Sequence, residues 1–219
     1  MIRNGIQYLL FKSGPVTSNG VDCCSFLNPE NLHDQNDPKI KLYCVQIMYT
    51  DRDTTGIKPD HGITLTSCLM NPKSRGEVRI QSSNPLDLPL IDPNFLSHSD
   101  DIDVMLNAVK LARKVIQTKP LSDIVLEETV PGQSINSDED LINYSKKMIK
   151  TNWHPVGTCK MGKDNDEMAV LNTKLEVKGI KNLRVFDVSM MPTIVGANTN
   201  APAMAIADKA TDLLLQSKS

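Results

Sequence analysis

Apolar positions in the first half of the chain recur at a spacing that predicts short strands separated by polar turns. Val78 and Ile80 alternate with polar neighbours, which is the two-residue period of a half-buried strand. Residues 11–20 are dense in glycine, proline, serine and asparagine, which predicts a loop. Strands are predicted at 41–49, 62–70 and 77–82, with a polar linker at 51–61 and a proline-rich loop at 84–95.

In the second half, apolar residues spaced by three and four predict helices. From residue 100 onward such a stripe should bury one helix face, with Ser99 or Asp100 as the cap; its members are Ile102, Met105, Val109, Ala112 and Ile116. Ser137 and Asp140 approximate a capping box at the start of a second helix. That helix is predicted at 138–151, two short strands at 173–180 and 183–188, and a last helix at 202–215.

Composition narrows the class of protein. The 219 residues are 40% hydrophobic and 23% charged, which is enough to bury a core in one large domain or slightly more. The net charge of -2 and the absence of a basic run argue against a nucleic-acid partner. No apolar run reaches the ~20 residues of a membrane helix, and the first residues show no signal-peptide core.

The five cysteines have no metal-ligand spacing. An odd number without C-x-x-C argues against a zinc site or a compact disulfide framework, so no metal is predicted. Buried free thiols are expected instead. Cys159 follows Gly157 and Thr158 without a nucleophile signature and is interpreted as a structural thiol.

His154 is the first candidate for chemistry. It stands between Trp153 and Pro155, just after the predicted second helix. A neutral imidazole can take a proton from a substrate hydroxyl near neutral pH. A histidine that interacts with the carbonyls at a helix C-terminus fits the same position. The residues alone leave both interpretations open.

The second candidate is the run Asn198-Thr199-Asn200, which precedes Pro202 at the start of the last helix. Proline is tolerated in the first turn, so the Asn and Thr residues are natural caps. The same unpaired N–H groups would also favour negative charge on a bound cofactor. Asn198 could in addition donate a hydrogen bond to an alkoxide-like substrate oxygen.

A hydrolase triad is the weaker alternative. His154, Asp187 and Ser189 supply the three residue types, but no G-x-S-x-G motif is present. Asp187 and Ser189 are two positions apart in a predicted strand, so both would point to one face without a histidine between them.

Several ordered motifs together resemble the C-terminal half of glucose-methanol-choline (GMC) oxidoreductases, and the resemblance covers nearly the whole chain. Within that family the motifs are most similar to those of arthropod glucose-dehydrogenase-like and choline-dehydrogenase-like members. The motifs are S-G-P-V-T-S-N-G at 13–20, N-P-K-S-R-G-E-V-R-I at 71–80, N-W-H-P-V-G-T-C-K-M-G at 152–162, L-R-V-F-D-V-S-M-M-P at 183–192 and N-T-N-A-P at 198–202.

The resemblance implies an FAD-dependent oxidation of a small-molecule alcohol, in which the CH–OH group gives a hydride to flavin N5 and a proton to a histidine. His154 falls on the position of that histidine, and Asn198 matches the asparagine form of its partner position. Trp153 would line the substrate pocket. The cofactor-binding positions implied are Pro155, Val156, Asp187, Val188, Thr199 and Asn200.

The resemblance also implies an α+β fold. An antiparallel sheet with helices on one side would form the substrate-binding domain at 1–182, and 183–219 would return a strand and helix to a Rossmann-like FAD domain. All 11 glycines are isolated and no G-x-G occurs, so that domain and its dinucleotide fingerprint are expected to be absent from this chain. FAD binding should then be incomplete, with a missing N-terminal FAD domain as partner. An inactive paralogue kept as a non-enzymatic binding or structural module is the alternative.

Overall fold

The computed structural model describes residues 2–34, 36–48 and 61–216. Within them the chain has a mixed α+β fold with small antiparallel sheets and four α-helices, which confirms the predicted class. The chain divides into two compact units, Met1–Leu69 with Ile102–Met148, and Met70–Asp101 with Ile149–Ser219. The predicted linker, His61 excepted, lies outside the described residues.

Nine helices and strands organise the described residues. The helices are α1 Ile2–Phe11, α2 Ser99–Ile116, α3 Asp138–Met148 and α4 Asn200–Gln216. The strands are β1 Val21–Leu27, β2 Ile40–Val45, β3 Thr64–Leu69, β4 Glu77–Arg79 and β5 Leu90–Asp92. Short 3-10 turns lie at Pro15–Thr17, Leu121–Asp123 and Val188–Met190.

The core of the first unit lies between a three-stranded sheet and α2. The sheet is antiparallel in the order β1-β2-β3, and Ile40 on the central strand is opposite Leu27 and Leu69. Ile40 is fully buried and packs in one cluster with helix residues Val104 and Ala108. Side chains at alternate strand positions share one face of a sheet, so Ile40 and Leu42 both point to the buried face of α2.

The buried stripe of α2 differs from the predicted one. Val104, Ala108 and Leu111 are buried, whereas the predicted Met105 and Val109 are only half-buried. Adjacent apolar pairs occur at 104–105, 108–109 and 111–112, so helical spacing fits either stripe. Packing against the sheet selected the earlier set.

The start of α3 agrees with the sequence prediction, whereas the start of α2 differs from it. The capping box of α3 is confirmed, because Ser137 Oγ accepts the Asp140 N–H at 3.1 Å and donates to its carboxylate at 2.6 Å. At α2 the cap is not Ser99 or Asp100. The His98 ring nitrogen Nδ1 accepts the Asp100 N–H at 3.2 Å instead.

Three elements were not predicted, and two predicted strands are wrong. The elements without a predicted counterpart are α1, β1 and β5. The strands predicted at 173–180 and 183–188 are replaced by turns and the isolated bridges Leu171–Val177 and Glu176–Arg184. Leu175, inside the first predicted strand, has a positive φ of 63°, which an extended strand does not accommodate. Asn182, with φ 62°, lies between the two predicted strands.

The loop before β4 is fastened to the start of α2 by one carboxylate. Asp101, only 3% exposed, accepts the backbone N–H of Lys73 at 2.9 Å and of Ser74 at 2.7 Å. Its Oδ2 also accepts the Ser74 hydroxyl at 2.5 Å. Hydrogen bonds to an ionised group are stronger than neutral ones, so this loop has a defined position in the second unit.

Gly76 allows β4 and β5 to form a ribbon. Glu77 pairs with Asp92, and a Cβ atom at position 76 would lie 2.2 Å from the Asp92 carbonyl oxygen. That approach is far inside van der Waals contact and involves backbone atoms that a side-chain rotation cannot move. Only glycine fits between the two segments.

We therefore expect Gly76→Ala to lower the free energy of unfolding by about 1–3 kcal/mol, the usual cost of overpacking. Gly5→Ala in α1 is the matched control, because nothing lies within 4 Å of its added Cβ. Urea unfolding followed by far-ultraviolet circular dichroism measures both variants. Equal midpoints for Gly76→Ala and the unsubstituted chain would contradict the assigned close approach.

Candidate functional site

Two segments 44 residues apart in the sequence meet in the second unit. The imidazole of His154 lies between two side chains, with Nε2 2.9 Å from Asn198 Nδ2 and Nδ1 2.9 Å from Thr199 Oγ1. His154 is half-buried, Asn198 is exposed, and Thr199 is 7% exposed. Both ring nitrogens are engaged, so the orientation of the ring is defined.

His154 lies in a turn and not at a helix end. Helix α3 ends at Met148, whereas the sequence predicted an end at residue 151, so the interpretation as a C-cap histidine is wrong. Trp153 has φ 56°, and its N–H donates to Thr151 Oγ1 at 3.0 Å. The left-handed conformation costs a bulky residue about 1–2 kcal/mol, and it turns the chain so that the ring of the next residue faces α4.

The start of α4 forms the other side of the site. The Ala203 N–H donates to the Thr199 carbonyl at 2.9 Å, which is the first helical bond and makes Thr199 the N-cap. The helix therefore begins at Asn200, two residues before the predicted start. Its first turn has no acidic residue, and the first N–H groups of a helix lack intrahelical acceptors. This end favours negative charge nearby.

The segment after His154 is held by backbone bonds to residues 187–191. Cys159 N–H donates to the Ser189 carbonyl at 3.0 Å, and Met161 N–H donates to the Met190 carbonyl at 2.9 Å. Met190 belongs to a buried cluster with Leu171 and Ala210 of α4, and Cys159 packs against that cluster. The segment after His154, residues 187–191 and α4 thus share one core, in which Cys159 has a structural position.

Asp187 is a cap rather than a triad member. Its Oδ1 accepts the Ser189 N–H at 2.8 Å at the start of the 3-10 turn Val188–Met190. His154 bonds Asn198 and Thr199 instead. The geometry of the site therefore gives no support to a Ser-His-Asp hydrolase.

The other predicted site residues lie beside His154, at the start of α4 and in the 3-10 turn Val188–Met190. Trp153 is 77% exposed, Pro155 is exposed and Val156 is half-buried beside His154. Val188 is half-buried, and Asn200 is the exposed first residue of α4. Their roles toward a cofactor or substrate stay predictions.

One contact of the site was not predicted from the sequence, which gave Thr199 only a capping position and a cofactor-binding position. The structure places its hydroxyl on the histidine ring. The signal in the sequence is Pro202, because an N-cap hydroxyl bonds the N–H of the second or third helical residue, and the third here is a proline without one.

Two carboxylates stabilise the loop that joins the segment after His154 to residues 187–191. Lys160 Nζ is 3.1 Å from Asp166 Oδ2, and its hydrogen bond, followed by the Met168 N–H, lowers the pKa of Asp166. Asn172 donates to Glu176, and that bond together with the Arg184 guanidinium at 2.8 Å lowers the pKa of Glu176. Both side chains are therefore ionised at neutral pH and accept these bonds as anions.

Metal and membrane features are not found in the described ranges. Residues 2–34, 36–48 and 61–216 hold no group of three or more His, Cys, Asp or Glu side chains placed to bind a metal ion. No helix in these ranges is both long and apolar enough to cross a membrane.

The five cysteines are free, but none is buried, and Cys23 and Cys24 are exposed, so the expectation of buried thiols is wrong.

Comparison with known proteins identifies the family. A family profile described as GMC oxidoreductase matches residues 72–207, more than half of the chain. The chain therefore belongs to the GMC oxidoreductase family, whose members are FAD-dependent flavoproteins, and the predicted membership is confirmed.

Curated relatives are similar over nearly the whole chain. Alcohol dehydrogenase [acceptor] of Pseudomonas putida is 35% identical over 210 residues, which is 96% of this chain and 37% of that protein. Oxygen-dependent choline dehydrogenase of Rhizobium rhizogenes is 33% identical over 211 residues, 96% of this chain and 38% of that protein. The chain thus spans less than two fifths of the length of these relatives.

Solved structures share the fold. Pyridoxine 4-oxidase from Mesorbium loti has a TM-score of 0.79 and 27% identity, with 86% of this chain and 37% of that chain covered. A fungal aryl-alcohol oxidase has a TM-score of 0.66 and 31% identity, with 82% and 28% covered. A formate oxidase, at 23% identity, 99% and 41% coverage and a TM-score of 0.80, supports the fold alone.

Gly157 gives a test of how the histidine segment is held. It has φ 87°, and an added Cβ would lie 3.3 Å from the Met191 carbonyl oxygen. We expect Gly157→Ala to cost about 1–2 kcal/mol for the left-handed conformation and more for the contact, measured by urea unfolding. Gly179→Ala is the control, because Gly179 has φ 79° and nothing within 4 Å. A loss no larger than that of the control would mean that the approach to Met191 does not hold this segment.

Proposed function

We propose that this chain supplies the substrate-binding and catalytic part of an FAD-dependent oxidoreductase that acts on the CH–OH group of an alcohol. The observation that carries the proposal is the imidazole of His154 held 2.9 Å from Asn198 beside the N-terminus of α4. Membership of the GMC family supports it. The names of the relatives, alcohol dehydrogenase and choline dehydrogenase, favour an alcohol as the substrate class.

The donor set at this site fits a flavin. The start of α4 combines unpaired backbone N–H groups with a first turn free of carboxylates, which suits a ring system that becomes negatively charged on reduction. FAD, when bound, supplies the hydride acceptor at N5 of its ring system. In the proposal the residues that hold it are Pro155, Val156, Asp187, Val188, Thr199 and Asn200.

His154 would act as the base. Its imidazole accepts the proton of the substrate hydroxyl, while the electron pair of that O–H bond stays on the oxygen. Asn198 would donate an amide hydrogen bond to the same oxygen and so stabilise the negative charge that develops there. The exposed Trp153 would line the substrate pocket and exclude water from the reacting atoms.

We further propose that cofactor binding needs more than this chain. No G-x-G sequence is present, and curated relatives are more than twice as long, which supports an additional FAD-binding domain as the partner. In this proposal residues 1–182 bind substrate and 183–219 dock on that domain. Asp187, Asn198 and α4 lie in the docking part, and His154 lies in the substrate part.

The purified 219-residue chain is expected to bind FAD poorly. Gel filtration after incubation with FAD should separate the flavin from the chain, as followed by absorbance. The control is a chimera in which the chain replaces the matching segment of the Pseudomonas putida relative, and this chimera should retain flavin. Stoichiometric flavin on the chain alone, with alcohol-dependent reduction of a dye, would contradict the proposed partner.

His154→Ala in the same chimera should lower kcat by about 10²- to 10⁴-fold, the usual contribution of a general base. Flavin absorbance should be unchanged, because His154 is proposed to accept a proton and is not among the residues proposed to hold FAD. His33→Ala is the matched control, since His33 is exposed in the other unit, and its turnover should equal that of the unsubstituted chimera. Undiminished turnover by the His154→Ala chimera would refute the role of His154.

A further inference from the structure

The two hydrogen bonds of His154 define which ring nitrogen carries the proton. An amide nitrogen only donates hydrogen bonds, so Asn198 Nδ2 at 2.9 Å makes Nε2 the acceptor. In a neutral imidazole the single N–H must then be on Nδ1. Nδ1 therefore donates to Thr199 Oγ1, also at 2.9 Å. The arrangement is self-consistent at the ring, because Nδ1–H meets a hydroxyl oxygen and the lone pair of Nε2 meets an amide N–H.

The hydroxyl of Thr199 can bond the ring because the helix-capping hydrogen bond of this residue is made by its carbonyl group. Its carbonyl accepts the first helical bond from Ala203. The hydroxyl has no N–H to cap at the third helical residue, Pro202, and in the described part of the chain its hydrogen-bond partner is the His154 ring. With Thr199 7% exposed, water has little access to compete for this bond.

We infer that Thr199 is a positioning residue: its hydroxyl holds His154 in the Nδ1–H tautomer and so leaves the lone pair of Nε2 as the proton-accepting site. The inference rests on the proposed function of His154 as the base. It assigns the side chain of Thr199 a task toward the histidine that is distinct from any backbone contact to a cofactor.

The bond to Thr199 also survives protonation of the ring. When Nε2 takes a proton, Nδ1 remains an N–H donor, so Thr199 Oγ1 remains its acceptor. The bond to Asn198 must break before this step, because the single lone pair of Nε2 accepts either the Asn198 N–H or the substrate proton. Asn198 must turn its amide oxygen to the ring or leave it for the substrate oxygen, while Thr199 keeps the ring in place.

The tautomer can be measured directly in the 219-residue chain. Two-bond ¹⁵N–¹H correlation spectra distinguish a protonated ring nitrogen from an unprotonated one, at a pH where the ring is neutral. We expect Nδ1 of His154 to carry the proton in the unsubstituted chain. Thr199→Ser retains the hydroxyl and should keep this pattern. Thr199→Val keeps the shape but removes the acceptor, and should shift the tautomer ratio toward Nε2–H by roughly 2- to 10-fold, the effect of one neutral hydrogen bond.

Two results would overturn the inference. One is a predominantly Nε2-protonated His154 in the unsubstituted chain, and the other is the same ratio in Thr199→Val as in the unsubstituted chain. Backbone amide spectra report whether each variant keeps its fold. If Thr199→Val does not fold, the unsubstituted chain and Thr199→Ser still decide the tautomer, and Thr199→Ala replaces the valine variant.

The chimera separates this inference from the proposed function. If the tautomer is as expected but His154→Ala retains full turnover, the positioning by Thr199 stands and the catalytic proposal fails. If His154→Ala loses turnover while the ring is Nε2-protonated, the catalytic proposal stands and the positioning fails. If both hold, Thr199→Val should lower kcat with flavin retained, and Thr199→Ser should restore it.

Discussion

The two hydrogen bonds of one imidazole to side chains at the start of α4 are the constraint on which the candidate site depends. His154 reaches Asn198 and Thr199 only because Trp153 adopts a left-handed conformation before it and Gly157 allows the close approach to Met191 after it. Each of these backbone conformations is unfavourable for most residues. They persist because the segment is anchored beyond them by backbone bonds to residues 189 and 190 and by the core around Leu171.

Helix α4 joins structure and candidate chemistry in one element. Its buried Ala210 packs in the core of the second unit, and the two residues directly before it, Asn198 and Thr199, contact the histidine. Pro202 matters at both levels, because it suits the first turn and removes the N–H that would otherwise attract the Thr199 hydroxyl. A core contact and a site contact are therefore linked through the same few residues, as is expected where a site is built on a rigid element.

Much of the fold was predictable wherever the signal is local. The capping box of α3 and the existence of α2, α4, β2, β3 and β4 follow from spacing and from turn residues. The elements that escaped prediction depend on partners. β5 consists of only three residues and is a strand because Val78 pairs with Ile91. The strand predicted at 173–180 failed because Leu175 adopts a left-handed conformation that apolar alternation does not reveal. At 183–188 the isolated bridge Glu176–Arg184 and the 3-10 turn Val188–Met190 replace the predicted strand.

By itself the sequence determined the residue types of the site, the motifs that carry the family resemblance and the presence of a helix after Asn198. These are properties of neighbouring residues, and local propensity is enough to express them. Only the tertiary structure decided that His154 meets residues 44 and 45 positions away and which of its nitrogens faces each of them. Hydrogen bonds depend on the direction and distance between donor and acceptor, and for residues so far apart in the chain both are set by the packing of α4 in the core.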